Sequence, residues 1–345
     1  MIAQAYIFII MLAFFACIAL SAFTCVNGLT LSHTQTCATH PSRDIHQFPN
    51  NTWVENLAVR QNGQILVTVL SAPELYQVDP FHTDSPSTLI HRFPGVMGLL
   101  GIVELQHDVF YVIAGNWSAV TLSTTNGSYS VWKVEMGSGK VLDGAIDPPA
   151  IVSKVVDIPE GVFLNGMAVL NESRGLVVIG DSGAGQVFTL DVETGKYSKT
   201  IDDPTMKPTP SLQLGINGLK IRDGYLYYTS SAQAAFNRIP INGADGSPAG
   251  PAEVVARFIL GDDFSFDPAG NAYISQDPLN TVSKVTSGGV VSIVAGSLDS
   301  TQVAGSTATG FGRTPNDRSV LYVTTSGGYL GPVIRQGGKV VAVYT

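Results

Sequence analysis

One unit recurs six times in this chain, and the spacing of its copies narrows the fold more than any other feature. The unit is an apolar stretch, usually led by Asn, Glu or Asp, then a tight turn, then a β-branched or aromatic run. Its copies are ENLAVRQNGQILVTVL, GIVELQHDVFYVIAG, NGMAVLNESRGLVVIGDS, NGLKIRDGYLYYTSS, DFSFDPAGNAYISQD and GFGRTPNDRSVLYVTTS. Asn62-Gly63 and Asp223-Gly224 read as two-residue hairpin turns. Counted from Glu55, Gly101, Asn165, Asn217, Asp263 and Gly310, the intervals are 46, 64, 52, 46 and 47 residues. Four-stranded propeller blades repeat at about 40–50 residues. A Ser/Thr/Gly-rich insert over residues 118–128 accounts for the long second interval. Further hairpins follow each copy, as in QVFTLDVETGKYSKTI, and no useful helical period appears after Glu55. The expectation is an all-β, six-bladed β-propeller over residues 51–345, with four-stranded antiparallel blades around a central channel. Radial repetition leaves few bare strand edges. The C-terminal GKVVAVYT reads as a closing strand of the last blade.

Ahead of the repeats, residues 5–23 are almost unbroken in apolar side chains, with small residues at Ala19, Ser21 and Ala22. They read as a signal peptide over residues 1–22 that directs the chain to the secretory pathway, for secretion or for the vacuolar or ER lumen. No Lys or Arg precedes the run, and it reaches the roughly 18 residues of a membrane span. An uncleaved anchor is therefore the alternative, and a membrane contact is expected only in that case. Cys17 falls in the leader; Cys25 and Cys37 are expected to pair and staple the segment 23–50. Only 13% of residues are charged, against about 25% in an average soluble protein. Four sequons, at Asn50, Asn116, Asn126 and Asn171, offer glycans as the missing hydration. Nineteen basic residues against 27 acidic ones, with no basic cluster, exclude a nucleic-acid partner. The expected partner is a small molecule.

Blade topology then says which residues meet. The start of each innermost strand shares a face with the loop after the second strand and with the link from the preceding blade. Glu55, Asn165, Asn217 and Asp263 should therefore ring the axis on one face. Around them should lie Trp117, Asp181, Ser182, residues 230–233, Gln276, Asp277 and Tyr329, with Met97, Leu99, Leu100, Phe163 and Leu164 on apolar links. Two carboxylates and two amides on an axis suit a hard cation such as Ca²⁺, or a polar substrate. The alternative is that such residues only cap turns.

The run of blade starts, with Glu55, Asn165-Gly166, Asn217-Gly218 and Asp263, resembles the senescence-marker-protein/gluconolactonase family of six-bladed propellers. The resemblance implies Glu55, Asn217 and Asp263 as divalent-metal ligands and Asn165 as a pocket residue. Asn56-Leu57 stand where the lactonases carry Gly-Pro. The segments WVENLAVRQNGQILVTVLSAPELYQVDP, DDFSFDPAGNAYIS and GSTATGFGRTPNDRSVLYVTTSGG resemble a fungal secreted branch of that superfamily. That branch includes the hetero-Diels–Alderases of tropolone sesquiterpenoid biosynthesis. The resemblance implies an enzyme of secondary metabolism that adds a tropolone quinone methide to a humulene-type sesquiterpene, with no cofactor required. Asn165, Asn217, Gln276 and Tyr329 would then donate hydrogen bonds, and a protonated Glu55 or Asp263 would expel water.

Two other readings stay open: a metal-dependent lactonase or ester hydrolase, with Asp263 activating water, and a non-catalytic secreted binding propeller. Several chemistries find no support. None of the six histidines has zinc-ligand spacing. Gly180-Asp181-Ser182-Gly183-Ala184 lacks the last glycine of a nucleophile elbow. Gly137-Ser138-Gly139-Lys140 lacks the upstream glycine of a phosphate loop and reads as a hairpin turn.

Overall fold

A computed structural model describes residues 40–82, 87–118, 120–330 and 336–345. The leader, Cys25 and Cys37 lie outside the described residues. Six four-stranded antiparallel sheets follow one another along the chain. The innermost strands are Val54–Val59, Gly98–Gln106, Leu164–Asn171, Ile216–Arg222, Phe264–Phe266 and Ser306–Phe311. Each packs against the innermost strands of the blades before and after it, and the sixth packs against the first, so the ring is closed. The chain is a six-bladed propeller.

Strand periodicity explains how the blades hold together. In Ile65–Val69 every residue is buried, because both faces of a blade are covered by neighbours. Ile65 and Val67 pack toward blade six, and Leu66, on the opposite face, packs toward blade two. The same division gives one apolar cluster between every adjacent pair of blades. Each fully buried Val, Leu, Ile or Phe contributes about 1.5–3 kcal/mol. The cohesion of the ring therefore lies between blades.

Turn chemistry follows the residues. Asp223 (φ 51°) and Gly224 (φ 78°) form the expected two-residue turn between paired Arg222 and Tyr225. At Asn62-Gly63 only Gly63 has positive φ, and the Arg60 N–H bonds to the Gln64 carbonyl, so the loop there has three residues. Gly137-Ser138-Gly139 turns tightly, with Gly137 at φ 55°, as the hairpin reading requires.

Three features depart from expectation. The propeller does not begin at residue 51: Ser42–Gln47 pairs with Lys339–Tyr344 and is the outermost strand of blade six. Lys339–Tyr344 is consequently the third strand of that blade, and closure comes from the N-terminal side. Blade two carries two insertions, the hairpin Trp117–Ser118 with Ser123–Thr124 and a second one, Lys140–Leu142 with Ala145–Asp147. Among the described residues no helix is long and apolar enough to cross a membrane.

Candidate functional site

Five of the six innermost strands open on a β-bulge, and in blade five Asp262 and Asp263 precede the paired Phe264 as Asn217 and Gly218 precede the paired Leu219; these positions build the site. Val54 pairs with Val69 and Asn56 with Thr68, so Glu55 is the extra residue and leaves the ladder. Shifts at equivalent places free Leu100 and Gly101, Asn165 and Gly166, Asn217 and Gly218, and Thr307. A second-strand threonine fixes the geometry in three blades. Thr68, Thr229 and Thr324 accept the N–H of Asn56, Gly218 and Ala308, each at 3.1 Å. Thr68 and Thr229 also donate to the Leu100 and Asp262 carbonyls of the next blade, at 2.8 and 2.7 Å.

By this equivalence the ring is Glu55, Leu100, Asn165, Asn217, Asp262 and Thr307. The residue after each ring position lies where blades crowd. A Cβ on Gly101 would lie 2.5 Å from the Asn165 carbonyl, and one on Gly166 would lie 2.5 Å from that of Asn217. Asn56 and Asp263 occupy this inner slot in blades one and five. Glu55, Asn165 and Asn217 thus stand where the sequence places them, and Asp263 does not: its neighbour Asp262 takes the ring position. Successive strand residues face opposite ways, and the carboxylate of Asp263 serves another purpose. It accepts both contacts of Lys220 Nζ, at 2.6 and 2.7 Å, and Asn56 Nδ2 at 2.9 Å. That linkage joins blades four, five and one beneath the ring and forms its floor.

The ring side chains are nearly closed to solvent, 4–5% exposed for Glu55, Asn165 and Asn217 and 9% for Asp262. Asn165 Nδ2 donates to Asn217 Oδ1 at 2.7 Å, and Asn217 Nδ2 donates to Ser231 Oγ at 3.1 Å. Asn217 also hydrogen-bonds Asp262. Glu55 Oε2 accepts the Trp53 indole N–H at 2.6 Å. The Trp53 ring meets Trp117 at 5.2 Å and Tyr329 at 5.5 Å, so three aromatics cluster together and join the ring through the Trp53–Glu55 bond. Trp53 is a contributor that sequence reasoning missed; its position two residues before Glu55, the spacing of one strand face, was the available signal.

Burial without a counter-cation sets the electrostatics. Desolvation pushes Glu55 up to about 8, against the Trp53 hydrogen bond, with the Asp277 and Asp263 charges adding to the rise. Burial likewise holds Asp262 well above the ordinary carboxylate range, helped by Glu55, Asp277 and Asp263. Asp277 is raised to about 7 by burial, against a hydrogen bond from Ser326 Oγ at 3.0 Å. Near neutral pH this cluster holds protons, and such groups donate hydrogen bonds and act as general acids.

Other candidate residues are placed differently. Gln276 turns into its own blade and donates to Thr281 and Ser283 at 3.1 and 2.8 Å, so Asp277 is the group from that strand end coupled to the ring. Asp181 is fully buried and accepts from the N–H groups of Val162, Phe163, Gly183 and Ala184. It organises two loops and has no free acceptor for a ligand. Phe163 is half-buried against Tyr129, Leu99 and Leu164 are core, and Met97 is 49% exposed on the link into blade two.

The metal set carried over from the resemblance, Glu55, Asn217 and Asp263, does not assemble. Asp263 is already neutralised by Lys220, and the Asn217 amide oxygen accepts from Asn165. With Asp262 in its place, two carboxylates remain, short of the 6–8 oxygens that Ca²⁺ gathers unless water supplies most of them. Among the described residues no three His, Cys, Asp or Glu side chains group as a metal site.

Known proteins give this geometry its context. No family model matches the chain. It is 31% identical over 310 residues to a "putative hetero-Diels-Alderase" of Phoma sp, covering 82% of this chain and 86% of that protein. It is 28% identical over 319 residues to "putative hetero-Diels-Alderase asR5" of Sarocladium schorii, covering 82% and 78%. Among solved structures, a luciferin-regenerating enzyme superposes with TM-score 0.64 at 13% identity, covering 89% of this chain and 95% of that one. The calcium-binding protein regucalcin of Agrobacterium tumefaciens superposes with TM-score 0.59 at 16% identity, again covering 89% and 95%. These two likenesses concern the fold alone. The chain belongs to the family of the proteins named hetero-Diels-Alderases, built on the regucalcin-like six-bladed propeller.

Proposed function

We propose that this protein is a hetero-Diels–Alderase that joins a tropolone quinone methide to a humulene-type sesquiterpene in the axial cup. The observation that carries the reading is a buried cluster of amides and carboxyls that hold protons, with an aromatic cluster hydrogen-bonded to it through Trp53. Such a site suits a flat, oxygen-rich ring that also meets hydrocarbon.

The first step is a dehydration. Glu55 gives its proton to the leaving hydroxyl of a hydroxyalkyl tropolone as the C–O bond breaks. Water departs, and the tropolone O–H proton passes to the carboxylate, which restores the acid. The net change is loss of one water. General acid catalysis of this kind contributes about 10²–10⁴-fold. The second step moves no proton: one C–C and one C–O bond form as the enone of the quinone methide adds across an alkene of the terpene. Holding both partners in a near-attack pose supplies about 7–11 kcal/mol of such a barrier. The second Asn165 amide hydrogen and the Asp262 carboxyl donate to the tropolone oxygens, where charge gathers in the transition state, while Asn217 holds both donors in place. Trp53, Trp117 and Tyr329 cover the reacting faces.

The test is incubation of the purified protein with a hydroxymethyl tropolone and humulene, with adduct formation followed by chiral chromatography and mass spectrometry. One stereoisomer formed faster than in buffer is the expected result. A racemic adduct at the buffer rate sinks the proposal.

A further inference from the structure

The four sequons are not equivalent in the folded protein: two are exposed and two are held by the fold. We infer that Asn50 and Asn126 carry N-linked glycans and that Asn116 and Asn171 do not. The inference rests on passage of the chain through the secretory pathway and is independent of the reaction proposed above.

Transfer of the oligosaccharide precedes folding, so the folded molecule must tolerate what was attached. A glycan bonded to the side-chain nitrogen needs that atom in open solvent. Asn126 meets the condition: it is exposed in the turn over residues 125–128, and Gly127 at φ 75° carries the chain around it. Asn50 is also exposed, and only its Oδ1 is engaged, accepting the Gly337 N–H at 3.1 Å.

The other two are held by the fold. Asn116 is half-buried with an unpartnered Oδ1, and its backbone is tied to Ser128 Oγ at 3.0 Å and to the Thr125 N–H at 2.8 Å. The next residue is Trp117 of the aromatic cluster, so a sugar there would press on its rings. Asn171 caps the short 3-10 helix Glu172–Arg174. Its Oδ1 accepts from Arg174 N at 3.2 Å and Ser173 Oγ at 2.9 Å, and its Nδ2 faces the Gly243 carbonyl at 3.4 Å. A glycan on Asn171 would have to displace the contact of Nδ2 with Gly243, and one on Asn116 would have to leave a half-buried side chain beside Trp117, so neither position accommodates it in the folded protein.

Both favoured sites are near the aromatic cluster in sequence. Asn50 lies three residues before Trp53, and Asn126 lies in the insert whose hairpin carries Trp117. Two hydrated chains on these exposed segments hold a bilayer or a second protein away from them. They also supply hydration to a chain in which 13% of residues are charged.

The experiment is peptide mapping of the protein secreted from a yeast host, after release by peptide-N-glycosidase F in H₂¹⁸O, which converts each formerly occupied Asn to labelled Asp. Label at residues 50 and 126 alone is expected. Label at residue 116 or 171, absence of label from residue 50 or 126, or an unmodified protein overturns the inference. The double variant Asn50→Gln, Asn126→Gln should show no mass shift on enzyme treatment, and a remaining shift also overturns it. Mapping of the unaltered chain decides the matter even if that variant is not secreted.

Discussion

Replacing Asp262 and Asp263 one at a time should give stability changes of opposite sign, although the two residues are adjacent. Asp263→Ala removes both Lys220 contacts and the Asn56 bond, and leaves an ammonium that is 29% exposed with only the Phe264 ring, 5.5 Å away, beside it. Breaking a fully buried pair costs about 3–5 kcal/mol, and partial hydration of Lys220 reduces this to about 2–4 kcal/mol. With a urea m-value near 3 kcal/mol/M, the unfolding midpoint falls by about 1 M. Asp262→Asn removes a carboxyl group that burial and the Glu55 and Asp277 charges oppose ionising. A carboxyl raised in the folded state binds more protons folded than unfolded, so its contribution to stability declines as pH rises above the unfolded value. Asn cannot ionise. Asp262→Asn should therefore equal or exceed the parent protein in stability, by more at pH 9 than at pH 6. The assay is urea unfolding followed by tryptophan fluorescence at both pH values. Equal destabilisation by the two variants would refute the assignment of ring and floor.

Glu55→Gln should slow the dehydration by about 10²–10⁴-fold and leave addition of a preformed quinone methide largely intact, as read by single-turnover chromatography. With Glu55 raised to about 8, turnover from the alcohol should be constant through neutral pH and fall above about 8, where the acid ionises. Trp53→Phe deletes the bond to Glu55 Oε2 that opposes the rise, so the alkaline limb of the pH–rate profile should move upward; an unmoved limb would remove Glu55 from the acid step. Because the Glu55, Asn217 and Asp263 set does not assemble, EDTA should leave turnover and thermal midpoint unchanged, and a loss restored by Ca²⁺ would show that the ring rearranges around an ion.

Much of this architecture was legible in the chain, and the errors have two physical origins. Six copies at blade spacing identify the propeller, and Asn165-Gly166 with Asn217-Gly218 mark the ring because the second residue must be small where blades crowd. At Asp262-Asp263 the same rule has no glycine to act on. Two carboxylates in succession read alike in the sequence, and a slip of one residue transfers a strand side chain to the other face. Aligning Asn56 and Asp263 with Gly166 and Gly218 would have given Asp262. Gln276 and Asp277 were both placed around the ring, but successive residues at a strand end face apart, and only Gln276 turns into its own blade. Ser42–Gln47 was missed because its partner, Lys339–Tyr344, lies almost at the other terminus, and no local pattern announces so distant a pairing.

That distant pairing governs how the molecule can be made. Its opening strand is synthesised early and finds its place only when the final strand has emerged, so every blade but the last can be complete while the circle stays open. Until that moment the third strand of blade six presents bare backbone amides, an invitation to association with another chain. Fusions and tags added before Ser42 must leave that strand free to dock, whereas a cut on its C-terminal side would leave the circle permanently unlatched.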